Sequence, residues 1–310
     1  MPNVPNVPRF ATIPSCLAAA LLLAATTRTA APESAPSGAR AVDAIVAAER
    51  AFAAQVRSQG VREGFLAWLA PTSVVFRPGP VSGPATYRKQ PPGWHGLLAW
   101  TPAHAAISAD GKLGWSTGPW TWQRDSTQAQ PDAQGEYMTV WRQKPDGVWK
   151  AVLDCGIGHP APARKAPSLT AWLPTSAPGL GSRPLAARKA LYEADAGFAR
   201  LAAAAGVAEA ISHYADDDVI VLREGAQRWR GRATAHDSLS RRETRTRVVS
   251  NAQNVAGSGD IGYTYGTFVH GPAAAPDSAW YVHVWHRGPA PVWKLAFEVV
   301  MPVPAAGAGH

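Results

Sequence analysis

One hairpin pattern occurs twice in this chain, at residues 135–154 and 281–298, and it limits the possible folds more than any other feature. In the first copy, two runs rich in β-branched and aromatic residues flank Pro145-Asp146-Gly147, in which Pro presets φ and Gly closes the turn. The second copy turns at Gly288 and Pro289. Five positions recur at a constant offset of 144 residues, namely Tyr137 and Tyr281, Trp141 and Trp285, Trp149 and Trp293, Lys150 and Lys294, and Asp154 and Glu298. The pattern therefore predicts two copies of one β-rich unit.

The repeat extends through the whole of each unit. Three further pairs share an offset of 146 residues, namely Phe52 and Phe198, Gly60 and Gly206, and Arg77 and Arg223. In each unit a helical apolar period precedes the strand patterns. In the first unit it covers residues 41–69, and Ser58-Gln59-Gly60 breaks it into two helices before strands such as 113–123; in the second unit it covers 193–214. Helices followed by an antiparallel sheet indicate the α+β class. A repeat this long indicates two domains rather than a solenoid, which needs shorter periods.

Composition divides the chain into five parts. Its 310 residues, 46% of them hydrophobic, are enough for two ordinary cores. The segment between the two patterned units is crowded with Pro, Gly, Ser and Ala, which is typical of a linker. We predict a signal peptide at 1–31, a first domain at 41–158, a Pro/Gly-rich linker at 159–186, a second domain at 187–303 and a disordered tail at 304–310.

The first 31 residues predict the cellular compartment. Arg9 supplies a positive n-region, residues 16–25 form an apolar h-region, and small residues follow through Ala30 and Ala31. A mitochondrial transit peptide would carry more Arg, and a lipoprotein signal would place its Cys after the h-region, whereas Cys16 begins it. We therefore expect a periplasmic or secreted protein that is not inserted in a membrane. Only Cys155 would remain after cleavage, which excludes an intramolecular disulfide.

Several motifs resemble one family. They are the Gly-x-x-x-Gly strand at 114–118, the strands at 137–142 and 146–154, and the stretch at 229–232. Together they are similar to the SnoaL-like branch of the nuclear transport factor 2 (NTF2)-like superfamily, over 41–158 and again over 187–303. The resemblance implies a cone, in which a curved antiparallel sheet wraps a helix pair around a pocket for a small, mostly apolar molecule. Members include steroid isomerases, dehydratases, polyketide cyclases and proteins that only bind or scaffold, so this fold does not determine the function.

The hairpins carry the candidate acid/base residues. If Lys144 pairs with Gly147, Tyr137 lies opposite Asp154, and the same pairing in the second copy places Tyr281 opposite Glu298, with His283 on the same face. A carboxylate beside a phenol in a pocket walled by Trp would have a raised pKa, as a general base near neutral pH requires. The alternative is that this polar face meets solvent or the other domain.

The remaining candidates would bind a ligand. Arg77 and Arg223 end matching strands and could bind an acidic group, or pair with a helix carboxylate such as Glu49 or Asp195. Trp94, His95 and Trp100 lie in an insertion that could cover the cone as a lid, or form a satellite cluster. Further aromatic candidates for the pocket wall are Trp120, Trp122 and Tyr265.

The sequence predicts neither a metal nor a cofactor. His283 and His286 point to opposite faces of a strand, and Asp216-Asp217-Asp218 lacks the spacing of a calcium loop. The one basic run predicts a solvated face rather than a nucleic-acid site. We therefore predict two tandem cones packed as an internal pseudo-dimer, with an aromatic pocket for a small hydrophobic molecule. The alternatives are a lyase or isomerase with Asp154 as general base, and a scaffold without a ligand.

Overall fold

The fold is described from a computed structural model. It covers residues 38–93, 96–125, 127, 130–160, 168–172, 184–241, 245–270, 277–288 and 292–303. The predicted signal peptide, the predicted tail and the two candidates Trp94 and His95 lie outside the described residues.

The first domain begins with a broken helix, as the apolar period predicted. Gly60 has a φ of 88°, a conformation that favours glycine, and it separates the two helices. The elements described in this domain are α1 (Gly38–Gln59), α2 (Val61–Trp68), β1 (Leu69–Phe76), β2 (Pro80–Ser82), α3 (Gly83–Arg88), β3 (Leu97–Trp100), β4 (His104–Ile107), β5 (Leu113–Gln123), β6 (Ala133–Gln143) and β7 (Trp149–Gly158).

The second domain repeats this order. Gly206, with a φ of 104°, breaks its helix where Gly60 breaks the first, whereas the sequence predicted a single helix there. The described elements are α4 (Pro184–Ala205), α5 (Val207–Tyr214), β9 (Ala215–Arg223), β10 (Trp229–Arg230), α6 (Arg232–Ser240), β11 (Arg247–Val255), β12 (Ile261–His270), β13 (Asp277–Arg287) and β14 (Trp293–Pro302).

Each domain is built on one curved sheet. The strand order is β2-β1-β7-β6-β5-β4 in the first domain, with β3 also pairing β5, and β10-β9-β14-β13-β12-β11 in the second. The prediction of antiparallel sheets is wrong at one equivalent pairing in the two domains, because β1 runs parallel to β7 and β9 runs parallel to β14. In each case the chain between the two strands crosses over instead of turning back in a hairpin.

A strand from the predicted linker extends the first sheet. β8 (Thr170–Trp172) pairs in parallel with β4. The Trp172 ring lies 4.5 Å from the His286 ring of the second domain, measured between ring centroids. This part of the linker is therefore packed against both domains.

Three apolar clusters hold the molecule together. One lies between helices and sheet in the first domain, around Phe52 and Trp141, and a second lies at the same place in the second domain, around Phe198 and Trp285. The third joins the outer faces of the two sheets. Equivalent residues contribute to it from each domain, including Met138 and Val282, Val140 and Val284, and Leu153 and Phe297. The domains thus pack as an internal pair, sheet against sheet, around a shared apolar layer.

The predicted α+β class with two tandem cone-shaped domains is confirmed. Among the described residues, no helix is both long and apolar enough to cross a membrane.

Candidate functional site

The first domain encloses a cavity of about 420 Å³ between its helices and its sheet. Most of its wall is apolar and aromatic, and the polar groups of five side chains interrupt that wall, namely Arg77, Tyr87, Gln90, Tyr137 and Asp154. The lining residues are Phe52, Val61, Phe65, Arg77, Tyr87, Gln90, Leu98, Trp100, Trp120, Trp122, Ala133, Tyr137, Asp154, Cys155 and Gly156.

The cavity brings together six of the residues that the sequence singled out. Asp154 comes from β7, Tyr137 from β6 and Arg77 from the end of β1, while three tryptophans form walls. Those tryptophans are Trp100, Trp120 and Trp122. The Trp122 ring lies so close to Gly96 that an added Cβ there would be 1.7 Å from it, so only glycine fits beside this wall.

The hairpin register differs from the prediction. Asp154 lies opposite Thr139, and Tyr137 lies opposite Gly156. The pairing is shifted by two residues, because the turn closes with Lys144 N–H bonded to Val148 O and because a bulge follows between Val140 and Trp141. The second hairpin is shifted in the same way, so that Glu298 lies opposite His283 rather than Tyr281. Since alternate residues share a face, Tyr137 and Asp154 still reach the same cavity.

Asp154 presents a carboxylate oxygen to the cavity. Thr139 Oγ1 donates a hydrogen bond of 2.9 Å to Asp154 Oδ2, and Oδ1 has no donor among the described residues. Burial raises the pKa of Asp154 to about 6, against the lowering effects of the Arg77 charge and the Thr139 bond. Arg77 donates to Tyr87 Oη at 3.2 Å instead of forming an ion pair with this carboxylate. The group is therefore ionised at neutral pH and accessible from the cavity.

Tyr137 and Gln90 place buried polar atoms at the cavity without a partner. Tyr137 is 7% exposed, and among the described residues neither its Oη nor Gln90 Oε1 has a hydrogen-bond partner. Burial and the nearby Glu49 and Asp154 charges raise the pKa of the Tyr137 phenol well above its usual value, so the group stays protonated. The nearby Ser116 hydroxyl lowers this pKa by a smaller amount, but it donates its own hydrogen to Glu49 and does not meet the geometry of a hydrogen bond with Tyr137 Oη. A ligand in the cavity could satisfy both atoms.

Glu49, on α1, is a functional candidate that the sequence analysis assigned only as a partner for Arg77. It is fully buried and accepts hydrogen bonds from Trp100 Nε1 at 2.5 Å, Ser116 Oγ at 2.5 Å and Trp141 Nε1 at 2.9 Å. Burial raises its pKa to about 7, against the lowering effect of these three bonds. An acid in the middle of an apolar helical stripe was the sequence signal that could have identified it.

The corresponding residues of the second domain form a closed network. Tyr281 Oη donates to Asp195 Oδ2 at 3.0 Å, and His283 bridges Asp195 Oδ1 at 3.0 Å and Glu298 Oε2 at 2.7 Å. Arg223 completes the network with an ion pair of 2.5 Å to Glu298. Tyr281, His283 and Glu298 are completely buried, so these candidates bond to one another and not to a shared cavity with Asp154.

The charges of this network hold one another in the ionised form. Burial alone would raise the pKa of Glu298, but Arg223 and His283 lower it to about 2. Burial alone would lower the pKa of His283, and its bonds to Asp195 and Glu298 outweigh burial and raise it. Arg223 forms an ion pair with the strand residue Glu298, whereas the sequence analysis named a helix carboxylate such as Asp195 as a possible partner.

Tyr265 belongs to the contact between the domains. It packs at the edge of the shared apolar layer, where its ring centroid lies 5.9 Å from that of Phe76. The structure therefore places Tyr265 in the contact between the domains, whereas the sequence predicted it in a pocket wall. Within the described ranges, no three His, Cys, Asp or Glu side chains lie close enough together to hold a metal ion.

Comparison with known proteins gives structural matches only. No protein-family model matches this sequence, and no curated protein is similar enough to be matched. Similar solved structures include a ketosteroid isomerase-like protein from Erwinia carotovora atroseptica (11% identity, 38% of this chain, 96% of that chain, TM-score 0.34). LinA (16% identity, 41% of this chain, 94% of that chain, TM-score 0.32) and an NTF2-like protein of unknown function from Pseudomonas putida (13% identity, 40% of this chain, 92% of that chain, TM-score 0.34) are also similar. The described topology is a helix pair on a curved mixed sheet, and this unit occurs twice.

Proposed function

We propose that the first domain binds a small, mostly apolar organic molecule, and that the second domain supports it structurally. The observation that carries this proposal is the cavity, because its volume of about 420 Å³ lies in the usual range for small-molecule sites, roughly 300–1,000 Å³. Its aromatic walls favour a ligand with flat apolar surface. Its few polar groups, such as Asp154 and Arg77, would orient one polar end of that ligand.

The asymmetry between the domains supports this division of roles. In the first domain, Tyr137 Oη and one oxygen of Asp154 are left for a ligand. In the second domain, the matching Tyr281 and Glu298 are bonded within the protein. The polar network of the second domain thus has internal partners, and its outer sheet face supports the strands that carry Asp154.

A thermal-shift screen tests the binding proposal. A library of aromatic and alicyclic compounds would be added to the wild type, to Leu98→Trp, which narrows the cavity, and to Val249→Trp, which adds the same side chain on an exposed strand of the second domain. We expect some compounds to raise Tm in the wild type and in Val249→Trp but not in Leu98→Trp. No shift with any compound, or an undiminished shift in Leu98→Trp, would contradict the proposal.

A second candidate function is proton transfer, with Asp154 as the general base. The observation that favours it is the free carboxylate oxygen facing the cavity, on a group whose pKa is raised to about 6 by burial. Ring opening of 5-nitrobenzisoxazole, which needs only a base in an apolar site, is a suitable reporter. We expect its rate to rise with pH to a plateau above about 6, to be lost in Asp154→Asn, and to persist in Asp43→Asn, which changes an exposed carboxylate outside the cavity. Equal rates in wild type and Asp154→Asn would exclude this role.

We also propose that the chain is exported. The support is the residue pattern of 1–31, with Arg9 before an apolar run and small residues at its end. Expression of the full chain in a Gram-negative host, followed by fractionation and intact-mass measurement, tests it. A periplasmic product shortened by about 30 residues is expected, and a full-length cytoplasmic product would refute export.

A further inference from the structure

We infer that the ligand of the first domain is bound through two fixed polar points, Tyr137 Oη and Gln90 Oε1. It is therefore an apolar molecule with two separate polar groups, of which the one at Gln90 is a hydroxyl or an N–H. This inference rests on the proposed binding function and adds Gln90 as a specificity-determining residue.

We assign Tyr137 Oη and Gln90 Oε1 as binding points because both are buried and lack a hydrogen-bond partner among the described residues. Native proteins satisfy the great majority of their buried polar atoms, because an unmet donor or acceptor loses its bonds to water on folding. Tyr137 Oη and Gln90 Oε1 are both buried and unpartnered among the described residues, and both side chains line the same cavity. A carbonyl oxygen accepts hydrogen bonds only, so the group that meets Gln90 Oε1 must donate one.

The second domain shows why the Tyr137 hydroxyl is free. Tyr281, its counterpart, donates to the helix carboxylate Asp195 at 3.0 Å. In the first domain the matching helix carboxylate is Glu49, whose oxygens already accept from Trp100, Ser116 and Trp141. Trp100, which is itself a cavity wall, thus donates to Glu49, whereas the Tyr137 phenol does not.

Gln90 is held at the cavity by its surroundings. Its backbone N–H donates to Tyr87 O at 3.2 Å, just beyond α3. The Tyr87 ring is stacked on Phe65 at 4.2 Å between centroids, and the side chain is almost completely buried. The backbone that carries Gln90 is thus attached to a rigid aromatic wall, as a point of recognition requires.

The size of the cavity admits a ligand with two such groups. At about 30 Å³ for each water, a volume of about 420 Å³ holds roughly 14 waters. A two-ring molecule with a hydroxyl at each end fits this space. Biphenyl, 4-phenylphenol and 4,4′-biphenol, together with naphthalene, 2-naphthol and naphthalene-2,6-diol, form two matched probe series with zero, one and two hydroxyls.

Calorimetric affinities for the two series test the inference in the wild type, Gln90→Met, Tyr137→Phe and Gln253→Met. Gln253 is the matched control, because its Oε1 is also buried without a partner but lies outside the cavity. We expect the wild type to bind at least one diol about five- to tenfold more tightly than its mono-ol, since one additional net hydrogen bond raises the affinity by up to about tenfold. Gln90→Met should reduce that preference to about twofold or less while still binding the mono-ol, and Gln253→Met should keep it.

Tyr137→Phe should remove the gain in affinity from one hydroxyl. In the double variant that also carries Gln90→Met, the mono-ol should bind no better than the bare hydrocarbon. Diols that bind no better than mono-ols in the wild type, or equal effects of Gln90→Met and Gln253→Met, would overturn the two-point inference and leave the binding proposal intact. Failure of every probe to bind would contradict both.

Discussion

Replacing the two equivalent tyrosines by phenylalanine should have opposite effects on stability. The pair is matched, because both residues occupy the same position of the repeated hairpin and both are buried. Tyr281 Oη donates to Asp195 Oδ2 at 3.0 Å, whereas Tyr137 Oη has no partner among the described residues. The same chemical change therefore removes a hydrogen bond in one domain and an unsatisfied hydroxyl in the other.

The magnitudes follow from those two environments. A hydrogen bond to a charged group contributes about 1.5–3 kcal/mol, so Tyr281→Phe should lower the free energy of unfolding by that amount. Asp195 keeps its bonds from Thr264 at 2.8 Å and from His283 at 3.0 Å, which limits the loss. Tyr137→Phe removes a buried group with unmet hydrogen bonds, so its effect should lie between zero and a gain of about 1 kcal/mol.

Urea unfolding at pH 7, followed by circular dichroism and by tryptophan fluorescence, measures both effects. We expect the two variants to differ in the free energy of unfolding by about 2 kcal/mol or more, with unchanged m values. Equal destabilisation by the two substitutions would show that the Tyr137 hydroxyl has a partner inside the folded protein. That result would refute the argument that this phenol is kept for a ligand.

Three further results are expected. Glu298→Gln leaves Arg223 buried without its ion pair and should lower the free energy of unfolding by about 3–5 kcal/mol. Because the pKa of Glu298 is lowered to about 2, the wild type has this contribution above pH 4.5 and loses it as pH falls towards 2. Unfolding measured from pH 6 to 2 would show this loss. Glu49→Gln should remove a decline of about 1–3 kcal/mol in the free energy of unfolding between pH 5 and 8, because a carboxyl with its pKa raised to about 7 loses stability as pH rises from 4.5 to 7. The Gln amide nitrogen would also face an N–H or O–H donor, which should lower stability at every pH. Asp154→Asn should remove a smaller decline between pH 4 and 6, since burial raises the pKa of that group to about 6, and an unchanged pH profile would contradict the assignment.

Much of the fold could be predicted from local patterns. The helix break at Gly60, the strand at Leu113–Gln123 and the two hairpins follow from apolar periods and turn residues, which act over a few neighbouring positions. The exact strand pairing could not be predicted in this way. A bulge beside Val140 shifts the register, and a bulge depends on how the whole sheet curves around its helices.

The candidate site shows the same limit. Tyr137, Asp154 and the three tryptophans Trp100, Trp120 and Trp122 line one cavity, and alternation along a strand, which places residues on one face, is a local property. Gln90 and Glu49 were not assigned to the cavity or its support, because Gln90 meets a cavity built from distant segments and Glu49 bonds to the distant Trp100.

A repeat with a near-constant offset is visible without knowing any contact, so the residues alone predict one α+β unit made twice. How the polar groups of the two copies differ depends on the folded chain. His283 replaces Thr139 and Glu298 replaces Asp154, and in the folded chain those longer side chains reach Asp195 and Arg223 and satisfy the polar groups of the second domain. The shorter pair in the first domain leaves polar atoms at an open cavity, because hydrogen bonds between distant segments form only where the side chains are long enough to meet.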